Sequence, residues 1–208
     1  MQPLPLKQIH PLWLRCCHWI NAVTVAGMIC SGWRIYNASP LFSFNYPAAL
    51  TLGGWLGGAL LWHFALMWIL LINATIYLTL GICSGRFRSK FFPLSWTSLK
   101  KSLTQALYGK LHHTNMQEYN MVQKVAYILI ILDGAALLLS GLVLWKPVQF
   151  SLLTILFGGY DTARYIHFLC MNIMVLFIII HLVMVLLVPR AGNDSNLLIV
   201  FYVQIMPD

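Results

Sequence analysis

The stretch ARYIHFLCMNIMVLFIIIHLVMVLLVPR, residues 163–190, decides the fold. It stays apolar for longer than the ~20 residues a helix needs to cross a bilayer, and Pro189-Arg190 closes it. Two histidines interrupt it, His167 and His181, fourteen residues apart. At ~100° per residue that spacing returns to within about 40° of the same face, and at ~1.5 Å per residue it rises ~21 Å. Both rings therefore share one helix face, one in each leaflet. An ionisable side chain at membrane depth is costly, so each is a functional candidate.

Three further stretches have the same character, and together they predict transmembrane helices over about 14–36, 55–82, 122–145 and 163–188. The second lies within a longer apolar region, 48–83, whose Gly-rich start is expected at the outer interface or in a tilted helix. The chain is 60% hydrophobic and 9% charged, against about a quarter charged in soluble domains. The expected fold is an all-α integral membrane protein: one four-transmembrane-helix bundle with a cytoplasmic interfacial amphipathic helix, and too short for a separate catalytic domain. That amphipathic helix is read in SWTSLKKSLTQALYGKL, 95–111, within a long basic inner loop. Trp96, Leu99, Leu103, Ala106, Leu107 and Leu111 form its apolar stripe, and Ser95 is a candidate N-cap. The outer segment KPVQFSLLTILFGGYDTAR, 146–164, carries an apolar patch too short to cross, expected as an interfacial cap or a docking surface. The apolar tail NLLIVFYVQIMPD, 196–208, is too short for a fifth straight span. No heptad or longer internal repeat is evident.

The net charge of +8 does not point to nucleic acid, because of where it lies. Of the 13 Lys and Arg, only Arg34, Lys146 and Arg164 fall on the outer side of the expected spans. The others flank the inner ends, the positive-inside asymmetry of a chain with both termini in the cytoplasm. Membrane lipid, not nucleic acid, is the expected surrounding. Five cysteines form no C-x-x-C or C-x-x-C-H, which leaves covalent haem attachment and a zinc ribbon without support. The N-terminus lacks a short apolar core followed by a small-residue cleavage site, so the first span is expected to remain as an anchor.

Four of the seven histidines lie in the spans. His18, near the inner start of the first, matches His181 in depth. His63, in the outer half of the second, matches His167. The pairs His18/His181 and His63/His167 are thus expected to ligate two stacked haems, one per leaflet. Iron with two imidazole ligands offers substrate no open position, which makes it an electron carrier. Gly53, Gly54, Gly57 and Gly58, in the turns before His63, allow close approach of a flat macrocycle or of a neighbouring helix. Arg15, Arg34 and Arg164 are candidate propionate partners or interface anchors. Asp133, mid-way along the third span, is a candidate for a protonated carboxyl, a helix–helix bond or a proton route to quinone. His112-His113, in the basic loop, are either solvated or part of a quinone pocket.

RCCHWINA, SGWRIYNASPLF, LWHFALMW, LSGLVLWKPVQ, FGGYDTARYIHF and HLVMVLLVPR resemble the bacterial cytochrome b561 and Ni,Fe-hydrogenase-type di-haem cytochrome b superfamily over roughly residues 12–190. The nearest likeness is to membrane-anchor subunits of the thiosulfate reductase cytochrome b type. The resemblance implies two haem b groups on His18, His63, His167 and His181. It also implies a place in the bacterial inner membrane, passing electrons between the quinone pool and a periplasmic oxidoreductase of molybdopterin or hydrogenase type. The alternative it leaves open is a free-standing quinone-linked enzyme such as a superoxide oxidase. Asp133 and the apolar tail depart from the family pattern.

Overall fold

A computed structural model describes residues 11–85, 87 and 121–187. Every regular element among them is helical. The expected amphipathic helix at 95–111, His112-His113 and the tail at 196–208 lie outside the described residues.

Helix α1, Leu12–Ala38, starts behind Pro11 and stops at Ser39, which precedes Pro40 and has the extended φ of −151° that a following proline favours. A 3-10 turn, Ala48–Leu50, follows Pro47. Helix α2, Leu56–Cys83, begins after Gly53 and Gly54, both at positive φ, and ends on Gly85 at φ +66°. That last glycine closes the helix in the left-handed conformation, its N–H reaching the Ile82 carbonyl at 2.9 Å. Helix α3 spans Met121–Trp145, α4 is the short Ser151–Leu156, and α5 spans Tyr160–Leu187. Gly158 and Gly159, at φ +74° and +102°, turn the chain from α4 into α5.

Among the described residues, three helices are long and apolar enough to cross a membrane: Leu56–Cys83, Lys124–Trp145 and Tyr160–Val183. The first expected span is also a continuous helix, and its 27 residues reach about 40 Å. It is more polar than the other three because Arg15, His18, Asn21, Thr24, Ser31, Arg34 and Asn37 all lie on it. The apolar patch within 146–164 forms α4, in which Leu152, Ile155 and Leu156 are exposed.

The chain divides into two compact units between Ala135 and Ala136, within α3. In the first unit α1 and α2 run antiparallel. Trp13 meets Tyr77 with ring centroids 6.3 Å apart, Asn73 meets Cys17 and Asn21, Gly27 lies against Leu66, and Ser31 meets His63. Small side chains allow this approach, as is usual where lipid supplies no hydrophobic drive between helices. In the second unit the end of α3 meets the start of α5, with Ser140, Val143, Ala163 and Cys170 buried. Outward positions such as Val23, Leu61, Ile82 and Leu169 are large, apolar and exposed, as a lipid-facing surface requires.

Candidate functional site

His63 lies two turns into α2, half-buried against α1. Its Nδ1 is 3.0 Å from Ser31 Oγ. The next residue on α1, Gly32, faces the ring: a Cβ there would stand 3.6 Å from His63 Cε1. His167 lies two turns into α5, also half-buried. Its Nδ1 is 3.0 Å from Ser140 Oγ on α3. Gly141 again faces the ring, where a Cβ would stand 3.4 Å from Cε1. The two units thus repeat one contact, a Ser-Gly step on one helix against a histidine on the next. No longer repeat announces this in the sequence, although SGW at 31–33 and SGL at 140–142 carry it.

The other two candidate ligands sit in more open surroundings. His18 on α1 is exposed, with Trp19 edge-on at 5.6 Å between ring centroids. His181 on α5 is exposed and stacked with Phe177, 6.0 Å and 11° between planes, one turn before it. Arg15 lies one turn before His18, on the same helix face. Its Nε is buried and has no hydrogen-bond partner among the described residues. A buried cationic donor in that condition suits an anionic oxygen ligand. Asp133 is buried on α3.

Residues of the expected haem environment separate into two groups. Gly53, Gly57 and Gly58 pack within the entry to α2, while Gly54 faces open space. A side chain at Gly53 would run into the backbone of Ala59, one at Gly58 into the Gly53 carbonyl, and one at Gly57 into the Trp55 ring. The glycines that do face a candidate ligand are Gly32 and Gly141, together with Ser31 and Ser140. Sequence reasoning assigned none of these four a role. The signal was a Ser-Gly pair on each of two apolar helices.

Among the described residues, no three of His, Cys, Asp and Glu converge. Imidazoles on membrane helices, the buried Nε of Arg15 one turn from His18, and glycines beneath two of the rings form a donor set that fits haem b.

The end of the first unit where the chain passes from α1 to α2 is closed by an aromatic cluster. Trp33 stacks on Tyr46 at 4.7 Å and 12°, Tyr36 meets Phe44 at 5.2 Å, and Tyr36 packs edge-on to Tyr46. Asn37 clamps the loop by donating to the Tyr46 carbonyl and accepting from its N–H, both at 2.8 Å. Burial, helped by the neighbouring Tyr36, pushes the Tyr46 phenol above its ordinary pKa, while a hydrogen bond with Trp33 pulls the other way. Tyr36 is 8% exposed and therefore supports this loop from within. Lys146 and Tyr160, in the second unit, are exposed.

Residues 9–202 match the family model for prokaryotic cytochrome b561. The chain is 53% identical, over 182 residues, to a protein of Azospira oryzae named putative protein-methionine-sulfoxide reductase subunit YedZ1. That likeness covers 88% of this chain and 92% of the relative. No solved structure matches the chain.

Proposed function

The chain belongs to the prokaryotic cytochrome b561 family, whose members bind haem b and transfer electrons in the membrane, and we propose that it is a di-haem electron-transfer subunit of an oxidoreductase. Haem b, when bound, supplies a one-electron iron couple. His18 and His181 hold the inner haem, and His63 and His167 the outer one. Arg15 takes a propionate of the inner haem. The protein lies in the bacterial inner membrane with four spans, α1 being the least apolar, and both termini in the cytoplasm. It passes electrons between the quinone pool and a periplasmic partner that it also anchors.

The observation that carries this reading is the placement of His63 and His167. Both sit two turns into a membrane-crossing helix, half-buried, with one ring nitrogen already committed to a serine. A packing histidine needs only that hydrogen bond. A ligand needs the second nitrogen as well, and the fixed first nitrogen orients it. The relative's name narrows the partner class. A catalytic subunit that reduces methionine sulfoxide in proteins is the partner proposed here. A molybdopterin centre is the expected acceptor in that subunit. Co-purification in mild detergent, followed by electron transfer from a reduced quinol to the partner through the purified cytochrome, tests the proposal. An isolated chain that oxidises quinol and reduces its acceptor with no second subunit would contradict it.

A further inference from the structure

We infer that Ser31 and Ser140 are a matched pair of positioning residues, each fixing the tautomer and the donor strength of one haem-ligating histidine. The inference rests on the ligand reading above and adds what makes His63 and His167 alike.

A serine hydroxyl has one hydrogen to give. Ser31 Oγ lies 2.8 Å from the Gly27 carbonyl and 3.0 Å from the Met28 carbonyl, one turn back on its own helix. Ser140 Oγ lies 2.6 Å from the Ala136 carbonyl and 3.2 Å from the Leu137 carbonyl. Carbonyl oxygens only accept, so each hydroxyl hydrogen turns into its own helix. What remains toward the ring is a lone pair. The imidazole nitrogen 3.0 Å away must then carry the hydrogen, which places it on Nδ1 in both rings. A neutral imidazole with its hydrogen on Nδ1 presents its lone pair at Nε2, the far side of the ring from the serine.

Burial makes the serines hard to replace. Ser31 and Ser140 are both 0% exposed, so water has no route to substitute for a lost hydroxyl. The glycine after each serine leaves the ring room to lie against the helix that holds it. That the same Ser-Gly step meets a histidine in both units argues against chance packing of small residues. An imidazole whose N–H is held by an acceptor is a more basic ligand and favours the oxidised metal. Each serine therefore lowers the reduction potential of the haem its histidine ligates.

Full-length S31A, S140A, S31T and S140T, purified with haem, decide the matter by optical redox titration and by the low-field EPR signal of each low-spin haem. Haem transfer to apomyoglobin is the third readout. In S31A and S140A the midpoint of one haem, the same one in both, rises and its EPR signal shifts. The other haem is unchanged and serves as the folding control. Haem transfer from the altered site quickens by on the order of 10- to 100-fold. The threonine variants, which keep the hydroxyl, return toward wild-type values. Unchanged midpoints and signals in both alanine variants overturn the inference, as does an equal shift of both haems. His63→Ala and His167→Ala, measured alongside, separate the two levels. Retention of both haems with wild-type spectra in these variants overturns the ligand reading and the inference with it. Loss of one haem there, with silent serine variants, overturns the inference alone.

Discussion

Asn73 donates from α2 to the backbone carbonyl of Cys17 on α1 at 2.8 Å, and the same amide reaches Asn21 Oδ1. Asn73 is 3% exposed, so the bond is made where lipid and water are both excluded. It fixes the rotation of α2 about its axis relative to α1. Ten residues earlier on α2, that rotation is what turns His63 toward Ser31.

Replacing Asn73 by Ala should therefore lower stability by about 1 kcal/mol, the usual scale for a buried or interhelical hydrogen bond. Asn21→Ala should cost less, because the Cys17 carbonyl remains available to Asn73. The thermal midpoint of the purified protein in detergent, followed by loss of haem absorbance, measures both. A neutral Asn73→Ala would show that apolar packing alone aligns the two helices.

Two haem b groups per chain are expected, one for each histidine pair. Pyridine haemochrome against quantitative amino-acid analysis gives the ratio. His18→Ala and His181→Ala should produce one and the same spectral lesion, and His63→Ala and His167→Ala another. If His18→Ala instead resembles His167→Ala, the pairing across the membrane is wrong.

Gly32 and Gly141 supply a steric version of the same test. An added methyl would stand 3.6 Å from the His63 ring and 3.4 Å from the His167 ring, which is ordinary contact. Alanine at either position should leave both haems bound. Valine adds two further carbons against the ring and should displace the outer haem while sparing the inner one. Spectra of Gly141→Ala and Gly141→Val, compared with the Gly32 pair, check this. Loss of haem already with alanine would mean the ring has no slack at all.

Much of this architecture was legible in the sequence because lipid imposes a simple rule. A helix that must satisfy its own backbone in hydrocarbon shows as an unbroken apolar run. Such runs located α2, α3 and α5 to within a few residues of their ends. Helix α1 was found with them, although its seven polar or charged side chains set it apart, and they do so because it faces partners: Ser31 meets His63, and Asn37 meets Tyr46. The four histidines stood out for their depth. Ser31, Gly32, Ser140 and Gly141 did not, since small residues at helix interfaces are common in membranes. Which of them faces a ring depends on the rotation of two helices at once, and that is set by packing such as the Asn73 bond. The glycines before α2 are ambiguous in sequence for a related reason. The bareness of Gly53, Gly57 and Gly58 serves a tight local turn, which looks the same in sequence as a bare face left for a cofactor.

The outer surface gives the last prediction. Trp33, Tyr36, Lys146 and Tyr160 flank the ends of the expected spans read as outer, where the proposed periplasmic partner would approach the proposed outer haem. The structure divides these four by what they touch. Trp33 and Tyr36 are committed to the cluster around Tyr46, where the Tyr36 hydroxyl also bonds the backbone of Phe42. Lys146 and Tyr160 are exposed, and the Lys146 ammonium lies 5.7 Å from the Trp145 ring centroid. Removing an aromatic anchor at a docking surface costs far more than removing a residue that only shields it. Tyr160→Ala and Lys146→Ala should thus slow partner-dependent reoxidation of the reduced cytochrome while leaving both haem spectra unchanged. Tyr36→Ala should act through the fold, loosening the loop at 39–47 and exposing it to protease even with no partner present. Measuring reoxidation and limited proteolysis on the same three variants separates contact from support. Full reoxidation rates with both Lys146 and Tyr160 replaced would move the docking site off this face.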